Sequence, residues 1–188
     1  ATAAAAARAS VGNPIGPLRW YTDIATGGWP TYAYGEHGRI EAFGDRVSVD
    51  GRVTNLFSPH AVRRAFPDDP VVMSTFVATE DVSLVLVENG PLSDRFGSRP
   101  GAWPLVWFDH RYAAFVRRDL MSAGAAEIAC LRDFRDPMLR REWVDRLIAD
   151  PAFCECVCAD IAAGLRRLPD DAFFRTMSRL DACREGCR

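Results

Sequence analysis

Between residues 46 and 57, RVSVDGRVTNLF, apolar and polar positions alternate on both sides of Asp50-Gly51. A two-residue hairpin turn needs positive φ at its central positions, which Asp-Gly supplies, so this stretch predicts a β-hairpin with Val47 and Val49 on one face. The earlier run YAYGEHGRIEAF reads as a second hairpin turning at Glu36-His37-Gly38, walled by Tyr32, Tyr34, Ile40 and Phe43. SPHAVRRAFP then fits a short helix, with Ser58 as cap, Pro59 in the first turn and Pro67 as the stop. Residues 71–90, VVMSTFVATEDVSLVLVENG, hold two β-branched runs around Thr79-Glu80-Asp81, closed by Asn89-Gly90, and predict adjacent antiparallel strands. In the second run Val82, Leu84 and Leu86 alternate with Ser83, Val85 and Val87, the pattern of a strand covered on both faces. A Gly/Pro/Ser-rich loop is expected from Pro91 to Pro100. A further hairpin, WPLVWFDHRYAAFVRR, turns near Asp109 to Arg111.

From Leu120 onward the period changes from two to that of a helix. Asp136-Pro137 and Asp150-Pro151 each place a capping side chain before a residue preset for the first turn. Leu139, Trp143, Leu147 and Ile148 form an apolar stripe after the first of them. LMSAGAAEIACLRDF, residues 120–134, is expected to be helical despite Gly124. The fold class is therefore α+β. A flexible arm at 1–19 leads to a mainly antiparallel sheet or small barrel at about 20–118. A helical region at 119–188 follows, packed on the sheet as one compact unit.

The chain crowds five of its six cysteines into its last 36 residues. Leu168-Pro169-Asp170 breaks the helical pattern and Asp170 is placed to cap a new helix, so the tail predicts a helical hairpin. Cys154 and Cys158 are i,i+4, as are Cys183 and Cys187, and the two pairs are symmetric about a point between Asp170 and Asp171. An antiparallel fold there sets Cys154 opposite Cys187 and Cys158 opposite Cys183. Ala162, Ala163, Gly164 and Ala182 would let the helices approach closely. Packed thiols, disulfides and a zinc site made by Cys154, Cys158, Cys183 and Cys187 all remain open, though the twin C-x₃-C lacks the usual C-x₂-C knuckle. Cys156 lies off that face and Cys130 stands apart, so one of them is simply buried or the two pair with each other. Twin C-x₃-C on a helical hairpin resembles the small oxidatively folded proteins of the mitochondrial intermembrane space. That resemblance covers residues 154–187 alone and carries no function to this chain.

Composition narrows the choice of partner. A 48% hydrophobic, 11% aromatic chain of 188 residues can bury a sizeable core, and no apolar run reaches the roughly 18 residues of a membrane span. With 23 basic and 25 acidic residues interspersed, no field favours nucleic acid. The chain contains neither lysine nor glutamine, so every basic side chain other than histidine is arginine, which forks onto carboxylates and suits protein interfaces. The aromatics at Trp20, Tyr21, Trp29, Tyr32 and Tyr34, and at Trp103, Trp107, Phe108 and Tyr112, are read mainly as core, with a remainder free to form an aromatic and arginine surface.

Catalytic signals are sparse. His37, His60 and His110 stand in turns or a short helix without metal-ligand spacing, and G-x-S-x-G and phosphate-loop motifs are absent. The leading expectation is a non-enzymatic interaction or assembly protein with a protein partner. It would act through an aromatic/Arg-rich β platform and the cysteine-bearing hairpin. The alternatives are a hydrolase using His37, His60 or His110 as general base beside Asp109, in a cleft between the two regions, and a structural subunit of a larger complex. Reduced cysteines would fit a cytoplasmic or nuclear setting and paired ones an oxidising compartment.

Overall fold

A computed structural model describes residues 3–12, 17–22, 46–47, 70–99, 101–131 and 140–179. The hairpin at 32–43, the helix at 58–67, the start at Asp136-Pro137 and Cys183 and Cys187 lie outside those residues, as does the 46–57 hairpin apart from its first two positions. Five strands, β1 (Arg19–Thr22), β2 (Arg46–Val47), β3 (Leu84–Glu88), β4 (Leu105–Phe108) and β5 (Tyr112–Val116), form one sheet in the order β2-β1-β3-β5-β4. The α+β expectation holds, and the sheet is open rather than a barrel. It is mixed rather than mainly antiparallel: β1 pairs in parallel with β2 and β3, while β5 runs antiparallel to both β3 and β4.

Parallel neighbours cannot be joined by a tight turn. That requirement explains why residues 70–79 depart from the expected strand. They form helix α2 (Pro70–Thr79), the last element before β3. Met73, Phe76 and Val77 turn inward at helical spacing while Val71 is exposed, so the β-branched content yields to packing and crossover geometry. Asp81, with φ 49°, reverses the chain after α2, and Val82 N–H closes on the Val77 carbonyl. The loop expected at 91–100 contains helix α3 (Pro91–Gly97), entered through Ser93, whose hydroxyl bonds to both backbone groups of Gly90.

β3 is covered on both faces, as its alternation implied. Val85 and Val87 join a core with Tyr21, Phe96, Phe115 and the C-terminal helices; Leu84 and Leu86 join a second with Trp20, Trp107 and Val116. In β4 a register shift between Leu105 and Trp107 turns Val106 and Trp107 to the same side, leaving Leu105 and Phe108 on the other. The second core is closed by helix α1 (Ala3–Ala9), whose Ala4 and Ala7 are buried against β3, β4 and β5. Ala3–Ala9, expected as part of a flexible arm, are thus a packed helix. Alanine has the best helix propensity and is small enough to lie close on a sheet.

Beyond β5, a turn of 3₁₀ helix (Arg118–Leu120) leads into residues 121–131, which are irregular and not the expected helix. Ala125 N–H bonds to Ser122 in a turn around Gly124, and Ile128 N–H is taken by the Leu105 carbonyl. Helices α4 (Arg140–Ala149), α5 (Pro151–Arg167) and α6 (Ala172–Met177) follow. Asp150 caps α5 as expected, accepting Ala152 N–H at 3.1 Å and Phe153 N–H at 3.2 Å. The cap of α6 is Asp171 rather than Asp170, which is exposed and paired with Arg175. α6 packs on α5 where Gly164 meets the Phe174 ring.

Candidate functional site

A cavity of about 250 Å³ lies between α2, α3 and the turn at 99–103. Its walls are Met73, Val77, Val82, Phe96 and Trp103, and Arg95, Arg99 and Arg117 also line it. Each wall residue follows from the fold: α2 presents Met73 and Val77 one turn apart, and Phe96 stacks edge-on against Trp103 at 5.4 Å between centroids. Arg117 donates to Asp81 at 2.5 Å, Asp119 at 2.7 Å and the Val82 carbonyl at 3.2 Å. Burial alone would lower its guanidinium, yet the bonds and charges of Asp81 and Asp119 hold it above its ordinary value. Arg117 is therefore a neutralised, fixed part of the wall. Arg99 differs: one N–H goes to the Ser74 hydroxyl at 2.6 Å, and no carboxylate neutralises it among the described residues. No sequence pattern marks this cavity, because the residues of α2 pattern as a strand and those of α3 as a loop.

Trp20, Tyr21, Trp103, Trp107 and Phe108 are all buried, two of them completely, because the sheet is covered on both sides. Trp29, Tyr32 and Tyr34 lie outside the described residues.

Of the histidine set, His37 and His60 lie outside the described residues. His110 is on the surface, with its side chain 67% exposed and Nδ1 2.8 Å from Asp171 Oδ2. Asp109 does not face it; Asp109 accepts the N–H groups of Arg111 at 2.8 Å and Tyr112 at 2.7 Å and the Trp107 indole N–H at 2.9 Å. It is the knot of the β4–β5 turn. Asp171, whose side chain is only 4% exposed, also accepts Phe173 N–H at 3.0 Å and Phe174 N–H at 3.2 Å. An acid and an imidazole in this arrangement could orient a base, but His110 and Asp171 are not among the residues lining the cavity.

Four of the six cysteines lie among the described residues. Cys130 and Cys156 form a disulfide with their Cα atoms 5.9 Å apart, the pairing left open for these two. Cys154 is a buried thiol and so does not bridge to Cys187, while Cys158 is disulfide-bonded. The arrangement expected across the hairpin involves Cys183 and Cys187, outside the described residues. One turn beyond Cys156 on α5, Asp160 reaches back to the Cys130 loop and accepts the N–H groups of Cys130 at 2.8 Å and Leu131 at 3.1 Å. Its carboxylate and the two sulfurs lie within 4.8 Å of one another. Burial pushes the Asp160 carboxyl up, and the backbone N–H groups of Cys130, Leu131 and Ala129 do not fully offset that. Metal binding needs thiolates, and these two sulfurs are bonded to each other, so the cluster's chemistry in this state is that of a disulfide beside an acid. Asp160 carried no signal in the sequence beyond its i,i+4 spacing from Cys156.

No protein family, no curated protein and no solved structure matches this chain.

Proposed function

We propose that this is a protein-interaction module whose cavity between α2 and α3 takes one apolar side chain from an acidic segment of a partner protein. The observation that carries this reading is the joining of an apolar cavity to Arg99, a guanidinium bonded to a hydroxyl rather than a carboxylate among the described residues. At about 250 Å³ the cavity is smaller than the ~300–1,000 Å³ of typical small-molecule sites, and it is closer to the size of a single large side chain. Arginine with aromatic neighbours is also the composition enriched where partner proteins bind most tightly. Electrostatic attraction of flanking carboxylates would set orientation, and burial of the anchor would supply most of the affinity.

The test is a titration, followed by Trp fluorescence and calorimetry, with a short peptide carrying Asp and Glu around one Leu. Binding is expected, with about tenfold weaker affinity for Arg99→Ala, equivalent to about 1.4 kcal/mol, and loss of binding when the peptide Leu becomes Ser. Equal affinity for a peptide with Asn and Gln flanks, tighter binding of free hexanoate than of the peptide, or no binding would overturn the reading.

A further inference from the structure

A carboxylic acid stands beside the sulfurs of the Cys130–Cys156 cross-link. At Cys130–Cys156 three features coincide. Both cysteines and Asp160 are half-buried, so none of the three is sealed inside the core. The Asp160 carboxylate lies within 4.8 Å of both sulfurs. The loop carrying Cys130 is also held by bonds that do not depend on the disulfide: Trp143 Nε1–H donates to the Cys130 carbonyl at 2.7 Å, Asp160 takes the Cys130 and Leu131 N–H groups, and Ile128 N–H bonds to the Leu105 carbonyl at 2.7 Å. Opening the S–S bond would leave the two sulfurs facing each other, ready to close again.

We propose that Cys130 and Cys156 form a thiol–disulfide exchange site, with Asp160 as its acid–base group and dithiols as its reducing substrates. A thiolate of the dithiol attacks one sulfur; a mixed disulfide forms, the Cys130–Cys156 bond breaks, and the electron pair leaves on the other sulfur. That leaving thiolate takes the proton of the Asp160 carboxyl. The second thiol of the reductant then attacks the mixed disulfide, releasing the remaining cysteine as a thiolate that takes up a proton. The dithiol has become a disulfide, and two electrons and two protons have passed to Cys130 and Cys156. In the reverse direction ionised Asp160 removes the proton from the attacking thiol. Burial favours the protonated carboxyl, the form needed for the forward step, and the neighbouring charge of Glu127 acts in the same direction.

The experiment uses the full chain without denaturant, dithiothreitol as the dithiol, a quench with N-ethylmaleimide, and peptide mass to read labelling at Cys130 and Cys156. Both cysteines should become labelled while the helical signal persists, and oxidised glutathione should restore the bond. Asp160→Asn should slow reduction at least about tenfold, within the range for loss of a general acid, and Asp160→Glu should recover most of the rate. Should Asp160→Asn not fold, wild type is measured across pH. The rate per dithiothreitol thiolate should then fall as Asp160 ionises. Reduction only in denaturant, a folded Asp160→Asn as fast as wild type, or a flat profile would overturn the proposal.

Discussion

Asp171 shows how much one side chain is asked to do. It caps α6, accepts the His110 backbone N–H at 3.3 Å and holds the His110 ring. Burial by itself would raise its carboxyl. The bonds from His110 and Phe174 and the electrostatic attraction of the His110 ring together hold it below the ordinary carboxylate value. A carboxyl depressed in the folded state adds stability that is complete above its unfolded pKa and is lost as pH falls through the folded one. Asp171→Ala should therefore cost about 0.5–2 kcal/mol near neutral pH, the range for a lost helix cap, and its deficit should shrink on acidification. Urea denaturation of both proteins at pH 7 and pH 3 checks this; a deficit unchanged at pH 3 would mean the carboxylate's charge contributes nothing.

At the scale of elements, α5 and α6 illustrate two opposed effects at one position. Alanine at 164 would favour the helix by about 1 kcal/mol over glycine. The Cβ it adds, however, would run into the Phe174 ring, itself fixed in the core. Overpacking of this kind costs about 1–3 kcal/mol, so Gly164→Ala should be net destabilising, with a lower midpoint in thermal and urea unfolding. A more stable variant would show that α6 can shift away at little cost. α2 presents the same contest between local and tertiary effects. Its run of Val, Thr and Phe prefers a strand, yet burying Met73 and Phe76 beneath a parallel pair of strands requires a helix.

For the whole molecule, one core joins the sheet to the C-terminal helices, since Tyr21, Val85 and Phe115 belong to the same buried cluster as Val157, Ile161 and Phe174. Sheet and helices should therefore unfold together, with superimposable transitions in far-UV circular dichroism and Trp fluorescence. The Cys130–Cys156 bond spans a separation of 26 residues, and replacing both by Ser should lower stability by about 3 kcal/mol while preserving that single transition. Two resolved transitions would separate the molecule into independent units.

What could be read from the residues alone was whatever depends on neighbours a few positions apart. The alternation through residues 82–87 announced a strand buried on both sides, Asp150-Pro151 announced a helix start, and Leu168 to Asp171 announced the turn before the last described helix. Packing across the molecule decided the rest. The parallel pairing of β1 with β3, the helical state of 70–79, the docking of the alanine helix, the partner of Cys130 and the approach of Asp160 to it all join residues that are distant in sequence. Local propensities differ by about 1 kcal/mol per residue or less, whereas burying one large side chain is worth about 1.5–3 kcal/mol. Where the two disagreed, burial prevailed, and it is burial that shaped both the cavity beside Arg99 and the carboxyl beside the disulfide.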